Sequence, residues 1–355
     1  MNKKTKNDNF ERCLVIGGSG MLGYEIVKQL MKEGKFVRVM DLNPLPEDNG
    51  AEFIKGDIRN IEDVRKASKN VDIIFQTAAA VWDPKLPKNV YEEVNIQGNK
   101  NVIDVCKELN IPKLVYTSTL DVVVDGKTPI VDGDETLTYP KKFPKDHYSR
   151  TKIIAEQMIN EANSDELLTC SLRPVGMYGP RDRYHIANIV EVAKSKNNIK
   201  LGDGSARFSH VYSENAAYAH VLAAKNLKAD SPIAGQNYFI TDHHPAENLF
   251  TFMEPYLNGL GLPLPKRSIP YRIAYLLATI VEIFNPKSNF NRFSVIQTCI
   301  DHTFIHDKAT KDFGYKPIIT KEVAQKRTLD WFKKQEEAKK KQISNKGVWV
   351  NIIWG

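Results

Sequence analysis

Cysteine is scarce in this chain of 355 residues, and its placement gives no sign of a disulfide or metal framework. The four cysteines stand far apart, without a Cys-x-x-Cys pair: Cys13, Cys106, Cys170 and Cys299. Scattered cysteines are typical of proteins from a reducing compartment. Residues 1–12 are polar and charged and lack the apolar segment of a secretory signal. We therefore expect a cytoplasmic protein.

Long hydrophobic runs and a strong excess of charge are also missing. The longest uncharged apolar run covers residues 273–281, far short of the roughly 20 residues of a membrane-spanning helix. The chain has 50 basic and 43 acidic residues, and part of the excess lies in the Lys-rich segments 1–6 and 333–346. We interpret these segments as solvated ends rather than as a basic patch attracted to a membrane. Because the rest is nearly balanced, nothing indicates a nucleic-acid partner.

The first half of the chain alternates short β-rich runs with amphipathic helical stretches. Strands are predicted at 13–16, 36–40, 52–54, 72–76, 113–117 and 168–172, and helices between them at 22–31, 90–109 and 148–161. Such alternation is typical of parallel strands joined by helical crossovers that cover both faces of a sheet. We predict an α/β fold with a Rossmann-type doubly wound parallel sheet.

After about residue 174 the pattern changes to longer helices, broken by Gly and Pro stretches and a few short strands. Helices are predicted at 182–193, 213–227, 246–257, 271–284 and 321–341. We assign 1–173 to the sheet domain and 174–345 to a smaller, mostly helical substrate-binding lobe that is interleaved with it at the edges. Residues 346–355 are assigned to a tail.

A glycine-rich turn follows the first predicted strand and opens the first predicted helix, with the sequence Gly17-Gly18-Ser19-Gly20-Met21-Leu22-Gly23. In this context Gly17 permits a tight turn, Gly20 lets the backbone approach a pyrophosphate, and Gly23 lets helix and strand pack closely. The helix start presents free N–H groups and a positive dipole end to the anion. Glycines in turns are weak evidence alone, but the strand before and the helix after them predict a dinucleotide site. Its predicted contacts are Gly17, Ser19, Gly20, Met21, Leu22 and Gly23.

Acidic and small residues follow the next predicted strands. Asp41 ends the second strand, where a carboxylate accepts hydrogen bonds from the adenosine ribose and repels a 2′-phosphate, so we predict NAD rather than NADP. The alternative is a turn-initiating Asp before Asn43-Pro44. Further predicted contacts are Asp57 and Ile58 near the adenine, and the small residues Thr77, Ala78 and Ala79, beside which the cofactor can lie close to the backbone.

Tyr148 and Lys152 stand four residues apart at the start of a predicted helix and project from one face. A phenol with an ordinary pKa near 10 is a poor base at neutral pH. We expect the ammonium to lower that pKa and to hold the nicotinamide ribose. The pair is common on solvated helices, and catalysis is favoured because the glycine loop and a second candidate group, at residues 116–119, precede it.

Hydroxyl residues end the fifth predicted strand, where open α/β sheets place their ligands. We predict that Thr119 hydrogen-bonds the substrate oxygen, with Ser118 as the second choice. The proposed step is direct: Tyr148 as phenolate removes the hydroxyl proton while hydride leaves the carbinol carbon for the nicotinamide.

These motifs resemble the extended short-chain dehydrogenase/reductase superfamily, through the glycine loop, the Tyr148/Lys152 pair and Leu172-Arg173-Pro174-x-x-x-Tyr178-Gly179-Pro180. The segments 116–119, 207–220 and 235–242 most resemble the 3β-hydroxysteroid dehydrogenase and sterol-4α-carboxylate 3-dehydrogenase branch. The resemblance covers about residues 12–331. One departure is Thr119, where the family usually has Ser.

The resemblance implies an NAD-dependent oxidoreductase of steroid biosynthesis that acts on a 3β-hydroxysteroid or sterol. It also implies that Asn95 helps to order the site and that Pro174 and Val175 lie near the nicotinamide. Oxidation of a 4α-carboxysterol would create a β-keto acid, which can lose carbon dioxide. A homodimer built by helices 90–109 and 148–161 and a peripheral membrane contact through 271–284 are implied as well; a plain core helix is the alternative for 271–284.

Other functions remain open from the sequence. A nucleotide-sugar epimerase or dehydratase, or another alcohol reductase of the extended family, would use the same motifs. A regulator that senses NAD without chemistry is a further alternative, which the presence of Tyr148 and Lys152 disfavours. His302 and His306 are four apart, but the residues between them are typical of a strand, so we expect no metal site there.

Overall fold

The computed structural model describes residues 10–142, 146–195, 198–242 and 245–353, with side chains as far as residue 339. The strands are β1 (Arg12–Ile16), β2 (Phe36–Asp41), β3 (Glu52–Lys55), β4 (Ile73–Gln76), β5 (Lys113–Thr117), β6 (Ile130–Gly133), β7 (Leu168–Pro174), β8 (Gly176–Tyr178), β9 (Ile199–Leu201), β10 (Arg207–Phe208), β11 (His210–Tyr212), β12 (Gln236–Ile240), β13 (Glu247–Asn248), β14 (Arg267–Ile269) and β15 (His302–Phe304). The helices are α1 (Met21–Lys32), α2 (Ile61–Ala67), α3 (Lys88–Tyr91), α4 (Gly98–Glu108), α5 (His147–Glu161), α6 (Ile186–Lys194), α7 (Ser213–Asn226), α8 (Leu249–Gly259), α9 (Tyr271–Phe284), α10 (Arg292–Cys299), α11 (Asp307–Phe313) and α12 (Lys321–Ile353).

Seven parallel strands form the main sheet in the order β12-β7-β5-β4-β1-β2-β3. The strand order reverses between β1 and β4, and open α/β sheets bind their ligands outside the carboxyl ends of the strands at such a point. The register aligns Ile16 with Gln76, and Gln76 with Tyr116. The loops that follow β1, β4 and β5 therefore leave the sheet side by side. The predicted Rossmann-type α/β fold is confirmed.

Alternate residues of the central strands face opposite sides of the sheet, as strand geometry requires. On β1, Cys13 and Val15 enter a core covered by α1, α7 and α11. Leu14 and Ile16 enter a second core covered by α2, α4 and α5. Both faces are thus covered, which explains why β4 and β5 are buried along their whole length.

The second half of the chain supplies elements to both parts of the molecule. Strand β12 pairs with β7 at the edge of the main sheet, and α7 contributes to the core that also buries α1. Other elements form a four-stranded sheet, β13-β10-β15-β6, which includes β6 of the first half, and two-stranded sheets, β11-β8 and β14-β9. Helices α6, α8 and α12 surround a separate core, and α9 and α10 share a smaller one. The two parts are interleaved, and the predicted boundary at residues 173 and 174 stays a prediction.

Three helix predictions differ at their ends. Helix α6 begins at Ile186 rather than 182, because the Asp182 carboxylate accepts the backbone N–H groups of residues 184 to 186 and holds this segment in a turn before the helix. Helix α8 begins at Leu249 rather than 246, after the capping residue Asn248. Helix α12 runs to Ile353, since no proline interrupts residues 321–353; residues 346–353 of the predicted tail are therefore helical, and 354–355 lie outside the described residues.

Candidate active site

The glycine loop has the close packing that the sequence predicts. Gly17 adopts a φ of +84°, and a Cβ there would lie 2.7 Å from the backbone nitrogen of Ala78. A Cβ on Gly23 would lie 2.2 Å from the carbonyl oxygen of Gly17. Helix α1 begins directly after Gly20, and its first-turn N–H groups are free to bind an anion. The loop, with Ser19, Met21 and Leu22, thus fits a dinucleotide pyrophosphate.

Replacing Gly23 with alanine is expected to weaken NAD binding on the order of 10- to 100-fold, because the overpacked methyl costs about 1–3 kcal/mol. The new Cβ forces the Gly17 carbonyl out of place and distorts the turn. Fluorescence titration with NADH measures the effect. Gly34→Ala is the control, since its Cβ meets no atom within 4 Å, and its positive φ, which Gly23 lacks, adds backbone strain away from the loop. Equal affinities in Gly23→Ala and the wild type would contradict the role of this loop.

Asp41 lies at the end of β2 and is tied to the glycine loop. One carboxylate oxygen accepts the N–H of Ser19 at 3.1 Å, and the other accepts the N–H of Asn43 at 3.0 Å. The bond to Asn43 forms the Asp-initiated turn that is the alternative interpretation of Asp41. The bond to Ser19 places the same carboxylate beside the glycine loop, so Asp41 has both positions. A free lone pair on each oxygen can still accept a ribose hydroxyl.

The other predicted cofactor contacts line neighbouring strand ends. The Asp57 carboxylate is paired with Arg59 at 2.6 Å, and this pairing lowers the pKa of Asp57. Ile58 is buried next to Gly98 on α4. After β4, the Thr77 hydroxyl donates to the carbonyl of Ile16 at 2.8 Å. Ala78 and Ala79 follow Thr77 and keep this crevice narrow, while Pro174 and Val175 are buried where β7 ends.

Asn95 is fully buried in a π-helical turn, Glu92–Gln97, that joins α3 to α4 within the predicted helix 90–109. Its side-chain carbonyl accepts the N–H of Ala80 at 2.8 Å, and its amide donates to the carbonyl of Ala80 and to the hydroxyl of Thr151. Since these bonds occupy the Asn95 amide, it connects the loop after β4 to helix α5. This geometry fits the ordering role that the resemblance implies.

The structure brings Tyr148 and Thr119 together. Tyr148 lies in the first turn of α5, where Asp146 caps the helix by accepting the N–H of Ser149 at 2.7 Å. Its phenol adjoins Thr119, which follows β5 and acts to lower the pKa of the phenol. Burial, followed by the carboxyl of Asp121, raises the pKa of Tyr148. The expectation of a lowered phenol pKa is therefore wrong for the protein alone, because burial and nearby carboxyls outweigh any opposing effect.

Lys152 is buried one turn further along α5. Its ammonium donates to the carbonyl oxygen of Thr117 at 2.6 Å and lies 4.3 Å from the centre of the Tyr116 ring. Burial lowers the pKa of Lys152 to about 7, although the carboxylates of Glu156 and Asp121 oppose this shift. Near neutral pH the side chain can therefore hold or release a proton at Nζ.

The depressed pKa of Lys152 predicts a pH-dependent stability. Unfolded lysine keeps a pKa near 10.4, so between about pH 7 and pH 10 the unfolded chain binds a proton that the folded chain does not. Stability gains from this group as pH rises through that window, and below it the full penalty of burying the charge applies. Lys152→Met is expected to stabilise the protein at pH 7 and to lose this advantage towards pH 10. Urea unfolding measures it, with the exposed Lys326→Met as the control, which should show no pH-dependent difference.

Ser118 and Thr119 differ in their hydrogen bonds. The Ser118 hydroxyl is buried, and no described residue is its hydrogen-bond partner. Thr119 contacts Tyr148 and donates to Asp121 at 2.8 Å. Thr119 therefore adjoins the candidate base, while Ser118 keeps an unused hydroxyl, and the assignment of Thr119 as the catalytic hydroxyl stays a prediction.

Two groups beside the site were missed from the sequence. Asp121 has only its position two residues after Thr119 as a signal. Arg173 belongs to the motif of residues 172–180. Its guanidinium forms a buried ion pair, at 2.6 Å, with the carboxylate of Glu156 on helix α5. The sequence did not predict this pair because its partners come from separate elements. The predicted histidines lie elsewhere: His302 is on β15, and His306 is hydrogen-bonded to Thr241 at 2.8 Å.

Comparison with known proteins shows the family of this chain. The 3-beta hydroxysteroid dehydrogenase/isomerase family matches residues 14–271. Human short-chain dehydrogenase/reductase family 42E member 1 is 36% identical, over 92% of this chain and 88% of its own length. Mouse sterol-4-alpha-carboxylate 3-dehydrogenase, decarboxylating, is 35% identical, over 91% of both chains.

Solved structures with this fold include nucleotide-sugar enzymes. An epimerase from Methanothermobacter thermautotrophicus superposes with a TM-score of 0.73 at 20% identity, covering 93% of this chain and 94% of its own. The UDP-glucose 4-epimerase of Thermus thermophilus, solved with NAD, gives 0.69 at 21% identity and covers 91% and 99%. At such identities the likeness shows the fold alone. The family match and the two close relatives decide the identity: this chain belongs to the 3-beta hydroxysteroid dehydrogenase/isomerase family and is an NAD-dependent oxidoreductase of the extended short-chain dehydrogenase/reductase type.

Proposed function

We propose that the protein oxidises the 3β-hydroxyl group of a steroid or sterol to a ketone, with Tyr148 as the base. The observation that carries the proposal is the placement of Tyr148 beside Thr119, one helical turn from the buried Lys152, whose Nζ donates to the Thr117 carbonyl at 2.6 Å. All three side chains lie at the carboxyl edge of the sheet, on the side where the glycine loop leaves β1.

The chain's own residues position the reactants and move one proton. Tyr148 accepts the proton of the substrate hydroxyl, and Thr119 beside it steadies the substrate oxygen. The Lys152 side chain, held by the Thr117 carbonyl, can hold or release a proton beside the site near neutral pH. Bound NAD supplies the hydride acceptor. Positioning in a site closed to water contributes much of the rate in such reactions.

The substrate class is argued from the relatives. One of them is named as a decarboxylating sterol-4-alpha-carboxylate 3-dehydrogenase. A 4α-carboxyl group beside a newly formed 3-ketone makes a β-keto acid, in which the ketone accepts the electrons of the breaking C–C bond. Decarboxylation would then need no further catalytic group from the protein.

The experiment compares three substrates with NAD, following NADH by absorbance: a 3β-hydroxysteroid, a 4α-carboxysterol and UDP-glucose. We expect NADH with one or both sterols, and carbon dioxide only with the carboxysterol. No turnover of the sterols together with epimerisation of UDP-glucose would overturn the proposal in favour of a nucleotide-sugar enzyme. Tight NADH binding without turnover of any substrate would favour an NAD-sensing regulator.

The peripheral membrane contact belongs to the same proposal. Helix α9 buries only Ala274 and Ala278, and its exposed face carries Ile273, Leu276, Leu277, Ile280, Ile283 and Phe284. Exposed basic residues near its start, Lys266, Arg267 and Arg272, have the charge that anionic lipids attract. None of the described helices is long and apolar enough to cross a membrane. A helix of this kind lies in the plane of the interface.

The double variant Leu276→Asp/Ile283→Asp is expected to abolish cosedimentation with vesicles that contain anionic lipid. Charged residues on the contact face oppose its burial in the headgroup region. Val192→Asp on α6, an exposed apolar site of another helix, is the control and should sediment like the wild type. Equal sedimentation of all three proteins would exclude α9 as the contact.

A homodimer is proposed through the outer faces of the segment that contains α3 and α4 and of α5. Ile154, on α5, is partly buried in the single chain. Equilibrium sedimentation should give twice the mass of 40.3 kDa, and Ile154→Arg should give that of one chain. A monomeric wild type would overturn this part of the proposal.

A further inference from the structure

The loop after β4 is fastened to the start of helix α5, which carries Tyr148. Asn95 accepts the backbone N–H of Ala80 in this loop at 2.8 Å and donates to the hydroxyl of Thr151 on α5 at 3.0 Å. Thr151 stands about one helical turn after Tyr148. Trp82 follows Ala80 by two residues, so it is held near the first turn of α5.

Tyr91 fastens the same loop at a second point. Its hydroxyl accepts the backbone N–H of Asp83 and donates to the backbone carbonyl of Asp83, both at 2.8 Å. Its ring stacks on that of His147, with 6.4 Å between the ring centres. His147 directly precedes Tyr148 on α5. The loop is thus connected to α5 on both sides of the candidate base.

Helix α10 is fastened to the 3₁₀ turn that follows β5, Leu120–Val123. The side-chain amide of Gln297 donates to the Asp121 carboxylate at 2.6 Å, and the other oxygen of Asp121 accepts the Thr119 hydroxyl at 2.8 Å. Phe293 stands four residues before Gln297 on α10, and side chains at that spacing share one face of a helix. The face of α10 that meets Asp121 therefore also carries Phe293.

A stack of two aromatic rings joins the loop after β4 to α10. The ring centres of Trp82 and Phe293 are 4.9 Å apart, and their planes differ by 23°. On the opposite side, Lys152 joins α5 to the end of β5 by donating to the carbonyl of Thr117 at 2.6 Å. The loop, α10, the turn after β5 and the start of α5 thus form a closed ring of contacts, and Tyr148 is one of its members.

We propose that Trp82 and Phe293 form an aromatic wall on which the fused rings of the substrate pack, and that this wall determines the preference for a flat, apolar alcohol. The inference rests on the proposed function and names the residues that recognise its substrate. Both side chains are only partly buried, so the stack keeps surface that a ligand can cover. Aromatic rings provide large apolar contact areas, which suit the flat face of a fused-ring skeleton.

The charges beside the aromatic wall favour an uncharged ring system over a diphosphate. Arg292 directly precedes Phe293, and its guanidinium is paired with the Glu282 carboxylate of α9 at 2.6 Å. This partner leaves less of its charge to attract a phosphate. Asp121 adds a carboxylate at the same face of α10, and like charges across a binding surface disfavour the wrong ligand. A nucleotide sugar would therefore meet repulsion where a steroid gains contact.

Trp82→Ala and Phe293→Ala are each expected to raise KM for a 3β-hydroxysteroid about 10- to 100-fold, because each removes a large apolar contact. The kcat should change by less than about threefold, since the wall contacts the substrate equally before and during the reaction. Trp82→Phe keeps an aromatic face, so its KM should rise less than that of Trp82→Ala. Phe36→Ala is the control: Phe36 is 53% exposed and begins β2, at the opposite edge of the sheet, and its loss should leave KM unchanged.

Tryptophan emission measures the contact without turnover. The chain has four tryptophans, so the difference between the wild type and Trp82→Phe isolates the signal of Trp82. The probe is a 3-ketosteroid added at saturating NAD, a mixture that cannot react because the oxidised cofactor has no hydride to give. The titration should change the emission of the wild type saturably, and Trp82→Phe should lose this change.

The two measurements separate this inference from the proposed function. If steroids are oxidised while Trp82→Ala and Phe293→Ala keep the KM of the wild type, the aromatic wall is wrong and the proposed function stands. If the 3-ketosteroid changes the emission of Trp82 but no steroid alcohol is oxidised, the proposed function fails and the wall stands. An emission change that persists in Trp82→Phe would overturn the inference, and a wild type with neither turnover nor an emission change would overturn both. If Trp82→Ala does not fold, Phe293→Ala and the emission difference decide.

Discussion

Tyr148→Phe is expected to lower kcat for sterol oxidation by a factor of about 100 to 10,000, the range that a positioned acid or base contributes. Phenylalanine keeps the ring in the first turn of α5 but removes the oxygen that accepts the substrate proton and contacts Thr119. NAD affinity should change little, since the glycine loop and Asp41 are untouched. Initial rates with saturating NAD and an NADH titration measure the two effects separately.

Tyr218→Phe provides a matched control for this substitution. Tyr218 lies on α7, and its ring packs against the core on that side of the sheet. Losing its hydroxyl should leave kcat within a factor of about two of the wild type, as expected for a change outside catalytic contacts. Full activity of Tyr148→Phe would remove the catalytic assignment, whatever the substrate.

Glu156→Ala is expected to destabilise the protein by about 3–5 kcal/mol, because it leaves the buried guanidinium of Arg173 without its partner. The side chains of Glu156 and Arg173 are 0% and 4% exposed, and the pair is bidentate. Tyr139 also donates to Glu156 at 2.8 Å, so a second buried polar group loses its partner. Urea unfolding followed by circular dichroism gives the change in unfolding free energy.

Two further variants separate the pair's charge from its packing. Glu156→Leu/Arg173→Met removes both charges and should recover part of the loss, since apolar residues of similar volume often replace buried ion pairs. Asp104→Asn breaks the exposed pair with Lys100 on α4 and should change stability by less than about 1 kcal/mol. A loss in Glu156→Ala as small as that in Asp104→Asn would show that Arg173 finds water or another partner.

The sequence determines the sheet and the cofactor loop because their signals are local. Strands buried on both faces appear as short apolar runs, and glycines 17, 20 and 23 have a steric reason within a single turn. The sequence also predicts which strand-end residues meet, because the carboxyl ends of parallel strands lie at one edge of the sheet. Motifs also sufficed for the family, which the comparisons confirm.

Only the tertiary structure decided which groups act on one another. Gln297 reaches Asp121 across 176 positions of sequence, and β12 joins a sheet whose other strands all lie before residue 175. Even the direction of the Tyr148 pKa shift was beyond sequence reasoning, because it depends on burial and on carboxyls brought in by other elements. Spacing along one helix determines what faces the same way, whereas long-range packing determines the solvent and the charges that each group meets.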